Sequence, residues 1–239
     1  MKTTKRTFSL GSALIAVIAA AGVTGCSESQ KYPQSIEIAA RPGAALVVPF
    51  KQRVKGAPKR ALGAIEASPL IDPNPLPQGA ELLDSSLYLF GSGDVGGDVL
   101  IYVPETASGA FTFSLAASGD GRGQSASAVF FKTEATDVTV QIAGAPVENA
   151  PSSDLAGPWT RDDEVWTFED GVIPSLRILY PSGEEKVMRY AAYPDGAGRW
   201  FLIDYDPAGA TYWASLEGDT LLLAHPDAQF EPFATLARQ

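Results

Sequence analysis

The chain has 239 residues, 45% of them hydrophobic, and a formal charge of −10 from 18 Lys and Arg against 28 Asp and Glu. That composition supports a packed core in one large domain or two small ones, and its acidic balance repels phosphate backbones, which excludes nucleic acid as a partner. One cysteine and one histidine leave no disulfide framework and no zinc site of several His or Cys ligands.

Lys2, Lys5 and Arg6 precede an apolar run from Leu10 to Val23, which ends on Val23-Thr24-Gly25-Cys26. A positive leader, a short apolar stretch and small residues at its end mark residues 1–25 as a signal helix that is removed. The block Val23-Thr24-Gly25-Cys26 resembles the lipobox of bacterial lipoproteins. That resemblance implies cleavage between Gly25 and Cys26, acylation of Cys26, and a protein held by membrane lipid in the bacterial cell envelope. In that family an aspartate after the cysteine favours inner-membrane retention in Gram-negative cells, so the resemblance implies that Ser27 directs the protein to the outer membrane if the cell has one. A single acyl chain binds marginally and several bind stably, so the lipoprotein modification makes a firm anchor. The competing reading is an uncleaved helix with an incidental cysteine.

Charge is unevenly spread. Residues 1–60 carry ten Lys/Arg and two Asp/Glu, whereas residues 61–239 carry eight and twenty-six. Losing Lys2, Lys5 and Arg6 with the leader takes the formal charge from −10 to −13. Residues 26–35 are polar and read as a tether. Ile36-Glu37-Ile38 and Ala45-Leu46-Val47-Val48 read as strands that open a first domain, residues 36–148. Within it, Lys51, Arg53, Lys55, Lys59 and Arg60 form a basic cluster ahead of Pro69, Pro73, Pro75 and Pro77. Proline lacks a donor for a central strand or a helix interior, so residues 56–80 are expected to form an extended connection. Segment 51–80 is also a candidate contact for a partner, and its basic part, Lys51 to Arg60, for an anionic lipid surface close to the anchor.

From Leu87 onward the pattern is antiparallel β-structure. Phe111, Phe113 and Leu115 alternate with Thr112 and Ser114, and Val138, Val140 and Ile142 alternate with Asp137, Thr139 and Gln141. Period-two alternation buries one face and wets the other. Glycine-rich turns at 91–94, 108–109 and 119–121 space these strands as in a β-sandwich. A boundary is expected over Gly144 to Ser153. The second domain, residues 152–239, holds all four tryptophans. Turn signals at 169–171, 181–183, 194–196, 206–209 and 217–219 separate strand-length segments around Trp166, Ile178, Met188, Phe201, Trp213, Leu222 and Phe233. Seven strands joined by short turns make an up-and-down meander, and closing it into a small barrel removes both free edges.

Leu155-Ala156-Gly157-Pro158-Trp159 starts this meander and Leu236-Ala237-Arg238 ends it. The pair resembles lipocalin-type barrels, which open with G-x-W and set a late arginine against that tryptophan. The resemblance implies that Trp159 closes one end of the barrel with Arg238 stacked on it as a cation–π pair. An ordinary buried tryptophan in a β-domain accounts for Trp159 equally well. The expected fold is therefore all-β: a signal helix, a sandwich-like domain, and a lipocalin-like up-and-down barrel.

The familiar catalytic patterns are absent. No G-x-S-x-G or S-x-x-K occurs in the sequence, and the one histidine, His225, stands beside Pro226 at a strand end. Asp94 with Asp98, and Asp204 with Asp206, lack the spacing of an EF-hand calcium loop and read as turn residues. The remaining lead is aromatic. Trp166, Tyr190, Trp200 and Trp213 are the candidate ligand-binding residues, with core packing and docking between the domains as the alternatives. The sequence reading is a non-enzymatic envelope lipoprotein, with no cofactor and no metal, that binds a small hydrophobic ligand or an envelope protein through its barrel. An assembly subunit working through segment 51–80 is the alternative, and a hydrolase using carboxylates the least favoured.

Overall fold

The structure, a computed structural model, describes residues 32–54, 65–90, 93–122, 128–147, 155–169, 173–205, 211–225 and 232–239. The expected signal peptide with Gly25 and Cys26, residues 26–31 of the tether, Lys55, Lys59, Arg60, Asp206 and residues 148–154 of the boundary region lie outside them. Among the described residues, no helix is long and apolar enough to cross a membrane.

The chain is all-β, as the sequence suggests. The first half contains β1 Ser35–Ala40, β2 Ala45–Arg53, β3 Ile65–Asp72, a 3-10 turn at Pro77–Gly79, β4 Glu81–Leu89, β5 Asp94–Tyr102, β6 Gly109–Arg122, β7 Ala128–Lys132 and β8 Thr136–Ile142. Their order is β1-β8-β6-β3-β4-β5-β2, with β7 paired to the far end of β6. Strand β3 joins the two layers: Ile65–Ala67 pair with β4, while Ser68–Asp72 pair with β6. A single bridge, Val54 to Thr133, brings β2 back toward the other layer, so the sandwich is nearly a closed barrel. All strand pairs are antiparallel except β1 with β8, which run parallel.

Three expectations need correction. Gly119-Asp120-Gly121, read as a turn, runs inside β6 and pairs with Phe131, Phe130 and Val129 of β7, because the turn glycines serve here as strand residues beside a second strand. Residues 56–80 are not all connection, because β3 occupies Ile65–Asp72 with Pro69 inside it. Pro69 is tolerated because β3 has already left β4 at that point. Only its β6 side is paired there, so the missing N–H costs at most one ladder bond. Asp94 and Asp98 are not turn residues but lie on β5.

The alternation read from β6 and β8 holds. Phe113, Leu115, Val138 and Val140 are fully or almost fully buried in a core that also includes Val48, Leu87, Val99 and Ile101. Among the described residues, four polar ones are buried there: Gln52, Asp94, Thr133 and Thr136. Gln52 donates to the Pro33 carbonyl at 2.6 Å and to Thr136 Oγ1 at 2.7 Å, and Thr136 Oγ1 donates to the same carbonyl at 3.0 Å. The start of the described chain is thereby stapled to the Arg53 end of β2. Gly97 is obligatory: with φ +143°, a Cβ there would lie 1.8 Å from the Ser86 carbonyl oxygen on β4.

The second half is a closed barrel of eight strands. They are β9 Gly157–Arg161, β10 Glu164–Glu169, β11 Ser175–Leu179, β12 Glu185–Pro194, β13 Arg199–Asp204, β14 Thr211–Glu217, β15 Thr220–Ala224 and β16 Pro232–Arg238. The seven segments read from sequence are β10 to β16. The eighth strand is β9, whose pairing with β16 closes the ring at Ala237–Thr160 and Arg238–Trp159. An eight-stranded barrel is just wide enough to be filled by its own side chains. Leu155, Trp159, Trp166, Phe168, Leu176, Tyr190, Trp200, Leu202, Leu221 and Leu236 fill this one.

Candidate functional site

The sequence-selected aromatics divide between two packed environments. Trp166, Tyr190 and Trp200 point into the barrel, 7%, 2% and 8% exposed. Trp166 Nε1 donates to Glu164 at 3.0 Å, and the Tyr190 ring meets Phe168 edge-on at 6.1 Å. Trp159 is fully buried. Its Nε1 donates to the Leu155 carbonyl at 2.9 Å, and the Arg238 guanidinium lies 4.6 Å from its ring centroid. That is the contact implied by the lipocalin resemblance.

Trp213 faces outward, into a seam between the domains. Strand β13 is apolar on both faces because it serves two cores: Trp200 and Leu202 point inward, and Phe201 and Ile203 point toward the first domain. Phe201, Trp213 and Ala224 pack with Ala45 and Leu100, flanked by Val47, Leu83 and Tyr193. Phe201 meets Trp213 edge-on at 5.5 Å, and Tyr193 lies 5.4 Å from Tyr102. Arg41 fastens the linker side, donating to the Ala145 carbonyl at 3.1 Å and to the Gly196 carbonyl at 3.2 Å.

A polar notch lies in this seam, lined by Val47, Asp84, Ser85, Ser86, Asp98, Leu100 and Trp213. Its volume is about 10 Å³, room for one water at most and too small for a sugar or peptide substrate between the two carboxylates. Burial raises the Asp98 carboxyl above its ordinary pKa. The folded chain therefore holds that proton more tightly than the unfolded chain. The matching stability is present below the unfolded value near 4 and is lost as pH rises through the folded one. Asp98→Asn should raise Tm at pH 7 and leave it unchanged at pH 3, as thermal melts at the two pH values would show. The rise should stay below about 4 °C, the shift that 1 kcal/mol produces in a chain of this size, because the carboxylate keeps part of its hydration. A destabilised variant at pH 7 would contradict this account.

The barrel has two unlike rims. At the linker rim, the chain arrives through Leu155 and the turns β10–β11, β12–β13 and β14–β15 lie together. At the other rim lie the ends of β11, β13 and β15 and the starts of β12, β14 and β16. This second rim carries Leu179, Val187, Tyr205 and Phe233, which are 43%, 53%, 58% and 40% exposed. Tyr212, His225 and Phe233 form one aromatic cluster there. The His225 ring stacks on Phe233 at 4.5 Å and 20°, and Tyr212 lies 5.4 Å from His225 and 5.7 Å from Phe233. Tyr212 also packs downward on the barrel core. His225 is the partly exposed strand-end residue expected from sequence, but its neighbours were not foreseen. Beside the same rim, the β11–β12 hairpin frames an open hollow of about 630 Å³ lined by Tyr180, Pro181, Ser182, Glu184, Glu185 and Lys186.

The seam sets the direction of this aromatic rim. Tyr193, Phe201, Trp213 and Ala224 form one cross-strand row from β12 to β15. The row begins at the linker rim, one residue before the end of β12, and finishes at the aromatic rim, where β15 ends. Against β5 it starts at Tyr102 and proceeds toward Leu100 and Asp98. The aromatic rim is consequently turned toward the Asp94 end of β5, the end from which the chain leads back to residue 26.

Among the described residues, no group of three His, Cys, Asp or Glu side chains is arranged to hold a metal ion. Compared with protein-family models, with curated proteins and with solved structures, the chain matches none.

Proposed function

We propose that this chain is a lipid-anchored envelope protein, held through Cys26, that binds an apolar or planar ligand on the aromatic rim of its barrel. The observation that carries this reading is the Tyr212–His225–Phe233 cluster, with Tyr205 exposed at the end of β13 on the same rim. Aromatic rings stay partly exposed there, while the other described aromatics of the domain pack in its core or at the seam. Exposed apolar groups gathered at the mouth of a small barrel are a recurrent setting for ligand capture. Because the interior is filled, the ligand lies across the rim and does not enter the barrel. The rim faces the side of the expected anchor, which suits a hydrophobic ligand met at the membrane surface or presented by an envelope protein. The reading assigns no catalytic residue and no cofactor.

The neutral probe N-phenyl-1-naphthylamine tests it without interference from the acidic body. The intact protein should give saturable enhancement of the probe's fluorescence. Replacing Tyr205 and Phe233 together by serine should weaken binding by about tenfold or more, since losing one buried aromatic contact removes roughly 1.5–3 kcal/mol. Both side chains are exposed at the rim, so Tm should hold. Unsaturable binding, or equal affinity in the double variant, would remove the rim from consideration.

A further inference from the structure

We propose that the Asp94–Arg53 end of the first domain is a second membrane contact, docking on an anionic bilayer beside the anchor; the inference rests on the reading of Cys26 as lipidated. Three observations converge on that end. The first is where the chain leaves. Tyr32 donates to Asp94 at 2.6 Å, and the Pro33 carbonyl is held by Gln52 and Thr136. Tyr32 lies six positions after Cys26, a reach of at most about 20 Å for an extended chain. A protein acylated at Cys26 must keep this end near the lipid.

The second is exposed aromatic surface. Phe130 on β7 is 78% exposed, the most exposed large hydrophobic among the described residues, and Phe90 beside the start of β5 is 47% exposed. Phe131, between Phe130 and Lys132, is buried, so the core uses the opposite face of β7. Phe90 lies against Gly96, the cross-strand partner of Lys51. Phe90 and Phe130 thus flank the end on its two layers.

The third is charge. Lys51, Arg53 and Lys132 are exposed at this end among Asp94, Asp120 and Glu134, so the end is close to neutral in a chain whose residues 61–239 carry twenty-six acidic groups against eight basic ones. An anionic surface repels the acidic body and repels this end least. Cations with neighbouring aromatics form the interfacial combination that settles at lipid headgroups. The barrel docks toward the other end of β2, through Ala45 and Val47, and leaves this end uncovered by the second domain.

The test uses the mature lipidated protein reconstituted in vesicles of phosphatidylglycerol and phosphatidylethanolamine. With Cys26 acylated, an introduced cysteine is the only free thiol. A fluorophore goes on Asp120→Cys, opposite Phe130, or on Glu217→Cys at the linker rim as the control. Doxyl-labelled lipid should quench the label at 120 more strongly than the label at 217. That excess should be lost in phosphatidylcholine vesicles and in the variant with Lys51, Arg53 and Lys132 changed to Gln. Equal quenching at the two positions, with Cys26 shown by mass to be acylated, overturns the contact and leaves the anchor standing. An unacylated Cys26 overturns both. Excess quenching that survives in neutral vesicles and in the triple variant overturns the anionic surface as partner. Self-quenching at 120 without lipid assigns this end to a second copy of the chain.

Discussion

Trp159→Ala should cost about 3–5 kcal/mol in urea unfolding and should melt the barrel ahead of the first domain. The ring is fully buried where β9 and β16 close the cylinder, and its Nε1 satisfies the Leu155 carbonyl. Truncation leaves both a cavity and an orphaned acceptor, and these costs add. Arg238→Ala, which removes the cation 4.6 Å from that ring, should cost roughly 0.5–1 kcal/mol, since the arginine is exposed. The ratio between the two separates a structural pillar from a charge interaction. A loss below about 1 kcal/mol for Trp159→Ala would mean that the ring is not packed as a large buried aromatic must be.

The second large effect belongs to the seam. Residues 152–239 expressed alone should give a cooperative transition and a β-type far-ultraviolet spectrum, because barrel closure and the barrel core need nothing from the first domain. That fragment exposes Phe201 and Trp213, which are 0% and 4% accessible in the whole chain, and it should self-associate. Changing both to serine should restore a monomer, readable by sedimentation. In the intact protein the same pair should undock the domains, seen as an increased radius of gyration in solution scattering. An unfolded fragment would show that the two halves form one cooperative core. An intact protein still compact with both serines would show that the Arg41 contacts hold the domains without the seam.

Much of the architecture was legible because its causes are local. Alternation along β6 and β8 depends only on which face is wetted, and the barrel turns carry their own Gly, Pro and Asp chemistry. Strand identity from β10 to β16 therefore needed no tertiary information, whereas β9 is recognised as a strand by its pairing with β16. β3 was missed because proline is judged against a strand paired on both sides. Whether one side goes unpaired depends on where β4 ends and β6 begins. The candidate ligand residues came from the crowding of aromatics in the second half. Large aromatics are the first required for packing, so Trp166, Tyr190 and Trp200 fill the barrel and Trp213 fills the seam, which leaves Tyr205 and Phe233 exposed and Tyr212 and His225 partly so.

What the sequence determined by itself was the all-β class and the division into a sandwich and a barrel. Periodicity and turn residues carry that information over short distances. Only the tertiary structure decided what each apolar face meets. Trp200 and Phe201 are adjacent and equally hydrophobic, yet one fills the barrel and the other joins the seam. Alternation separates their faces, but the partner of a face is chosen by whichever surface is brought against it. The same holds for Phe130 and Phe131, one turned to water and one to the core, and for His225, which joined an aromatic cluster because the ends of β14, β15 and β16 meet at one rim.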